Sequence, residues 1–406
     1  MEQKIMKNLW IATELFYPEE TSTSFILTKI ANRLSGKYNV KVICGDPVYD
    51  KQKRSESFVL NSNVFVHRIK GFAGNKNSLL SRSLRFIFLS LSIFFYLWKN
   101  VKKGEKVFIV TNPAPLILLI SILKKIKKIE LVILVHDVFP ENTIPAGIIK
   151  SEKALPYKLL RSIFDKAYSN ADVLITLGRD MQKVIRGKIR KYNSTSKIEI
   201  IENWGDIESI YPMSKQEVFH DDSPIKNKII FQYAGNIGRV QGLLELLQVI
   251  KKVNNERLVF YFVGEGAVKQ SMIEYVQDNQ MKNVYFDGGY SREDQLSVLN
   301  KADVSFVSLA PKMFGLGVPS KTYNILAAGK PILYIGEKNS EIDLLVREEN
   351  IGYSFQHFEK EKLLDFFNSF DENSITDLKL KKEKARQIAE TKFSEKIILN
   401  KFYNII

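Results

Sequence analysis

Twelve short apolar runs punctuate this chain, and helical patterns fill most of the intervals between them. Seven runs lie at residues 9–13, 40–44, 64–66, 107–110, 131–135, 173–177 and 198–201. Five more lie at 229–233, 259–263, 284–286, 304–307 and 332–335. Short, almost wholly apolar strands that alternate with helices predict parallel sheets covered on both faces. A polar, strand-poor stretch at 204–224, WGDIESIYPMSKQEVFHDDSP, separates the two series. With 406 residues to place, the pattern predicts two doubly wound α/β domains, the first ending near residue 205 and the second starting at 206. Ligands of such sheets bind at the C-terminal ends of the strands, so two facing domains predict a cleft.

Charge narrows the partners. The net charge is +15, and residues 1–205 hold 34 Lys/Arg against 17 Asp/Glu, whereas residues 206–406 hold 26 against 28. A basic first half calls for an anionic partner, either nucleic acid or an anionic lipid surface, or else it is a solvated face kept for solubility. No zinc-ligand spacing, RRM signature or helix-turn-helix signature is present, which argues against nucleic acid. Residues 79–98, LLSRSLRFIFLSLSIFFYLW, approach the length of a membrane span, but Arg82 and Arg85 interrupt them. With Lys99, Lys102 and Lys103 following, the stretch 79–103 reads as a helix or helical hairpin lying in an anionic interface; the alternative is a helix buried in the first domain. Lysines 124, 125, 127 and 128 close a second apolar helix. The single cysteine, Cys44, cannot form an intramolecular disulfide, and the N-terminal residues lack a signal-peptide core. The expected location is therefore cytoplasmic, peripheral to the inner face of the plasma membrane.

Three strand–glycine-turn–helix units occupy the second half. IIFQYAGNIGRVQG contains Gly235, Asn236, Gly238 and Arg239; FVGEGAVKQSM contains Gly264 and Glu265; FGLGVPSKTYNILAAGKP contains Gly315, Gly317, Pro319, Ser320 and Lys321. Bare turns at helix starts expose backbone N–H groups to an anion. Ser320 is suited to an N-cap, and Lys321 falls in the first turn, where the helix dipole disfavours a cation unless an anion is also there. The expectation is a diphosphate held by these turns, with Lys321 and Arg239 as its cations; ordinary capping is the alternative. In the first half, LVILVHDVFPEN places His136 and Asp137 just past a strand, as a candidate proton acceptor and its partner. Here the alternative is a packed histidine and a turn-capping aspartate. Glu341 and Glu265 stand at helix starts, either capping them or touching a sugar or ribose hydroxyl. No Asp-x-Asp triplet or His/Cys cluster is present, so no metal site is expected.

Taken in order, ELFYPEETSTSF, HDVFPENTIP, ENWGD, YAGNIGRVQG, VGEG, VPSKTYNILAAGKPIL and SEIDLLVREENIGY resemble a GT-B glycosyltransferase of the large retaining family 4, in its WbuB-like branch of bacterial O-antigen and capsule enzymes. The resemblance implies the GT-B fold, an acceptor-binding domain at 1–205, a nucleotide-sugar domain at 206–385 and a helix at 386–406 crossing back to the first domain. It implies no cofactor, a UDP-linked N-acetylhexosamine or N-acetyl-deoxyhexosamine as donor, a polyprenyl-diphosphate-linked saccharide as acceptor, and retention of configuration. Tyr17 and Glu19, in YPEE, match the acceptor-side loop, although a solvated acid fits Glu19 as well. The chain also departs from the family. The two glutamates expected with seven residues between them are Leu316 and Asn324, and an expected Arg/Lys pair is Asn236 and Gln241. Asn324 retains one hydrogen bond for ribose, and Arg239 and Lys321 are the substitutes for the missing cations. These losses keep two alternatives open: a nucleotide-sugar epimerase of the same fold, and a non-catalytic saccharide- or lipid-binding relative.

Overall fold

In the computed structural model the described residues are 6–19, 21–47, 59–70, 79–219 and 223–406. The first sheet contains β1 (Asn8–Ala12), β2 (Asn39–Gly45), β3 (Val64–Ile69), β4 (Lys106–Val110), β5 (Glu130–Val135), β6 (Val173–Thr176) and β7 (Lys197–Ile200), in the order 3-2-1-4-5-6-7. The second contains β8 (Ile229–Ala234), β9 (Leu258–Val263), β10 (Val284–Asp287), β11 (Val304–Ser308), β12 (Ile332–Gly336) and β13 (Gly352–Gln356), in the order 10-9-8-11-12-13. All pairings within both sheets are parallel. Each order reverses once, between β1 and β4 and between β8 and β11, and a crevice opens at such a switch point. All twelve expected strands are present. The sequence reading missed β13, an edge strand whose five residues are all half-buried, so no apolar run marks it.

Five helices cover the first sheet: α1 (Ser22–Leu34), α2 (Leu79–Asn100), α3 (Ala114–Lys127), α4 (Leu155–Tyr168) and α5 (Arg179–Arg190). A short α6 (Lys215–Val218) lies in the linker. The second sheet carries α7 (Leu243–Ile250), α8 (Lys269–Asp278), α9 (Gln295–Asn300), α10 (Lys321–Ala327), α11 (Glu341–Glu349), α12 (Lys360–Asn368) and α13 (Glu372–Thr391), and α14 (Glu395–Ile405) ends the chain. The core of the second domain is built on phenylalanines: Phe260 and Phe262 both stack on Phe306. Their strands are buried on both faces, as continuous apolar runs require.

One expectation changes. The C-terminal crossing begins at residue 395 rather than 386. Helix α13 runs on to Thr391 and packs on α10, and the chain breaks where Phe393 turns its ring against Tyr323 and Ser394 bridges Gly205. Helix α14 reaches the first domain, packing on α1 with a Lys29–Glu395 pair at 3.1 Å, while Tyr38 Oη donates to the Ile406 carbonyl at 2.5 Å. The stretch 79–103 contains one helix and is not buried throughout. Its α2 is the crossover between β3 and β4, with Leu89, Ser90, Ile93 and Leu97 buried on one face and large apolar side chains exposed on the other. The side chain of Arg82 lies outside the described residues.

Candidate active site

The donor-side wall is built where β8 ends. Tyr233 is buried, and its hydroxyl donates to the Asn236 carbonyl at 2.7 Å, closing the turn. Lys321, first residue of α10, lays its Nζ 3.2 Å above the Tyr233 ring centroid and 3.4 Å from the Ala234 carbonyl. It has no ion-pair partner among the described residues. Burial holds its ammonium well below the usual lysine range. The aromatic face compensates only in part, and the start of α10 opposes the charge. The nearby backbone is bare: a Cβ on Gly235 would lie 3.6 Å from the ammonium.

Around this cation lies a cavity of about 320 Å³, whose lining includes Trp204, Gln241, Tyr290, Arg292, Ser320 and Asn324. The Trp204 indole N–H and the Gln241 side-chain oxygen are buried there without hydrogen-bond partners. Such orphans in a polar cavity await a ligand or water. Arg292, absent from the sequence reading because no motif marks it, stacks 3.6 Å over the Phe25 ring centroid. A larger hollow of about 960 Å³ adjoins this cavity between α1, α14 and the linker, sharing Phe25, Arg292 and Gln295. Its Lys29 and Arg33 are already engaged by Glu395 and Asn400.

Several expected donor residues have other work in the structure. Arg239 is exposed and does not line the cavity around Lys321. Asn236 and Gln241, the neutral replacements, do line it, and both crowd the space above Gly238, where a Cβ would meet them at 2.8 and 2.7 Å. At Gly264 a Cβ would stand 1.9 Å from the Gly235 carbonyl oxygen, so the two turns pack directly on one another there. Glu265 is exposed and accepts from Lys269 Nζ at 2.7 Å. Ser320 makes no capping hydrogen bond and has helical backbone angles, because the chain enters α10 through a tight turn in which Thr322 N donates to the Pro319 carbonyl. Asn324, where the family glutamate was expected, accepts from Asp206 N at 2.9 Å and donates to Gln295 at 3.2 Å, tying the linker to α10 and α9.

The facing wall belongs to the first domain. Past β5, the His136 and Asp137 amides donate to Thr111 Oγ1, both at 3.1 Å. Asp137 forms an antiparallel bridge with Gly317, and Val138 N donates to the Leu316 carbonyl at 3.0 Å. Gly315 and Gly317 therefore lie at a contact between the two domains. Gly315, at φ +67°, packs its bare face on α5, and a Cβ there would meet Val184 at 2.6 Å. Asp137 is exposed as a residue, yet burial of its carboxyl pushes it up to about 6. His136 differs: its Nε2 is buried without a partner, and burial pushes the imidazole down to about 4. It is therefore a neutral ring at physiological pH.

Tyr17 is half-buried, and its carbonyl accepts from the Arg68 guanidinium. Glu19 is 4% exposed, which removes the solvated-acid alternative; neither residue lines the donor cavity. Glu14, unremarked in the sequence, sits beside this loop, accepting from Arg85 at 2.8 Å and Asn112 at 2.9 Å.

Glu341 is committed to the first domain. It accepts from the Arg179 backbone N–H at 2.6 Å and from its guanidinium at 3.0 and 3.1 Å, and packs so close to Gly178 that a Cβ there would lie 2.7 Å away. Arg179→Met removes this interdomain pair. Because the guanidinium is 41% exposed, the expected loss is screened to about 1–2 kcal/mol. Small-angle scattering of ligand-free protein should show a larger radius of gyration than wild type; an unchanged radius would mean that the pair does not hold the domains together.

Two parallel-sheet domains of seven and six strands are the fold of GT-B glycosyltransferases, and the match to solved structures extends over nearly the whole chain. HepE from Anabaena, solved with UDP, superposes with a TM-score of 0.69 over 98% of this chain and 99% of its own, at 14% identity. The chain belongs to the glycosyl transferases group 1 family, whose model matches residues 215–388. It is 32% identical over 401 residues to WbjE of Pseudomonas aeruginosa, named as a probable glycosyltransferase, covering 98% of this chain and 97% of the relative. It is 23% identical over 320 residues to WcaI of Escherichia coli (strain K12), a protein named for colanic acid biosynthesis, covering 76% of this chain and 78% of the relative.

Proposed function

We propose that this protein is a retaining, family 4 glycosyltransferase of the WbuB-like branch. It moves a sugar from a nucleotide-diphosphate donor to a polyprenyl-diphosphate-linked saccharide in bacterial surface polysaccharide synthesis. The donor is a UDP-linked N-acetylhexosamine or N-acetyl-deoxyhexosamine. The observation that carries this reading is the unpaired Lys321 ammonium in a polar cavity at the strand ends of the second domain. A diphosphate answers it: an anion there removes the electrostatic penalty and draws Lys321 off the Tyr233 ring. The UDP held by HepE supports the nucleotide, and the naming of WcaI supports the polysaccharide setting.

In the reaction the anomeric C1–O bond breaks, and the bonding pair leaves on the nucleotide's terminal phosphate oxygen. Lys321 and Arg292, both on the cavity wall, meet the charge as it develops, which lowers the barrier more than it tightens ground-state binding. The acceptor hydroxyl oxygen bonds to C1 from the face the leaving group vacates, and its proton passes to the Asp137 carboxylate. The partnerless His136 Nε2 accepts a substrate hydroxyl. Neutral protein groups and cations do the work for which other transferases use a divalent ion.

Incubation with UDP-N-acetylhexosamines and a synthetic polyprenyl-diphosphate saccharide should extend the acceptor by one sugar, with the anomeric configuration unchanged by NMR. Formation of an altered nucleotide sugar without acceptor would establish an epimerase instead. UDP binding with no turnover on any acceptor would establish the non-catalytic reading.

A further inference from the structure

Twelve of the seventeen large apolar side chains exposed among the described residues fall between residues 84 and 163. On α2 they are Leu84, Ile87, Phe88, Leu91, Phe95 and Trp98, a single stripe at helical spacing. Its neighbour α3 presents Ile122 and Ile126, and α4, packed on α3, presents Leu155, Leu159 and Ile163. Neither α2 nor α3 contains an acidic residue. Where α2 and α3 end, Lys99, Lys102, Lys103, Lys127 and Lys128 line one concavity of about 620 Å³ together with Ile126. None of these five ammonium groups has an ion-pair partner among the described residues. Apolar stripes of this extent are rare on monomeric surfaces, and lysines beside them fit an anionic headgroup layer.

We propose that the outer faces of α2, α3 and α4 form one docking platform for an anionic lipid leaflet, with the five-lysine concavity seating phosphate headgroups. This deepens the reading of the acceptor as lipid-linked and rests on it for its purpose. The topology supplies an orientation. Crossover helices run antiparallel to their strands, so α2 begins at the cleft edge, where Arg85 grips Glu14 at 2.8 Å, and ends at the opposite edge with its lysines. The fourteen residues from Arg85 to Lys99 span about 21 Å at 1.5 Å per residue. A leaflet touching both ends lies along the helices and meets the cleft at Arg85, where a lipid-linked saccharide would enter. Among the described residues no helix is long and apolar enough to cross a membrane, as a platform lying on the surface requires.

The test is co-sedimentation of the full chain with vesicles of phosphatidylcholine plus phosphatidylglycerol, and with phosphatidylcholine alone. Wild type should partition onto the first and far less onto the second. Lys99→Glu/Lys102→Glu/Lys103→Glu should reduce partitioning about a hundredfold. Leu155→Ser/Leu159→Ser/Ile163→Ser should reduce it at least about tenfold, because α4 is part of the platform. Each variant should bind UDP as wild type by calorimetry, which shows that the fold is intact. Equal binding to neutral vesicles, or full binding by the α4 variant, overturns the proposal. So does a dimer, measured by light scattering, that the α4 substitutions dissociate. Vesicle binding is read without turnover, so a protein that sediments but transfers no sugar refutes the enzymatic reading and leaves the platform standing.

Discussion

Asp137→Asn lowers kcat by about 10²–10⁴-fold and leaves UDP affinity unchanged, the loss typical of a deleted general base. Asp137 stands on the first domain, bridged to Gly317 across the cleft, and does not line the nucleotide cavity. Its carboxyl is pushed up to about 6 by the protein around it, so it is mostly ionised at pH 7 and ready to accept a proton. The sign follows: kcat/KM should fall about tenfold per pH unit below pH 6 and level off above it. That acid limb should vanish in the asparagine variant. His136, pushed down to about 4, stays neutral over the same range and cannot produce the limb. His136→Ala should therefore raise KM more than it lowers kcat, since it removes an acceptor of a substrate hydroxyl. An Asp137→Asn enzyme that keeps its turnover and loses UDP binding would overturn the assignment of the walls.

Lys321→Met is expected to lower kcat by roughly 10²-fold or more, by analogy with the loss of one donor to a developing oxyanion. Affinity for UDP should fall and affinity for uridine should not, because only UDP carries the diphosphate. The buried ammonium adds a second readout. Burial holds it well below the usual lysine range and a bound anion favours the charged form, so calorimetry of UDP in buffers of different ionisation enthalpy should report proton uptake on the alkaline side. Lys321→Met should abolish that uptake. Arg239 was paired with Lys321 in the sequence, but it is exposed away from the cavity. Arg239→Met should therefore cost less, and the two substitutions should add in free energy rather than overlap. Near wild-type turnover in Lys321→Met would leave its position at the helix start without a role in donor chemistry.

Both sheets and their parallel sense were legible in the sequence, because a strand covered on both faces must be apolar along its whole length. Lys321 was legible too, since a lysine in a first helical turn is locally unfavourable and needs a reason. Local sequence reports that a Cβ is absent at 315 but not what fills the space, which is α5 of the other domain. In the same way, the sequence placed Glu341 at a helix start, but only the fold brings Arg179, 162 positions away, to its carboxylate. Arg292 carried no signal at all, because its place over Phe25 depends on how the second domain meets α1. The amphipathic stripe of α2 was visible as apolar residues, but its spacing does not distinguish the face that meets the sheet from the face left bare. The sequence by itself determined what each segment becomes, since backbone conformation and burial answer to residues a few places apart. Which carboxylate faces which cation, and which apolar face stays uncovered, were decided by the tertiary structure, where groups separated by a hundred residues or more are brought within hydrogen-bonding distance.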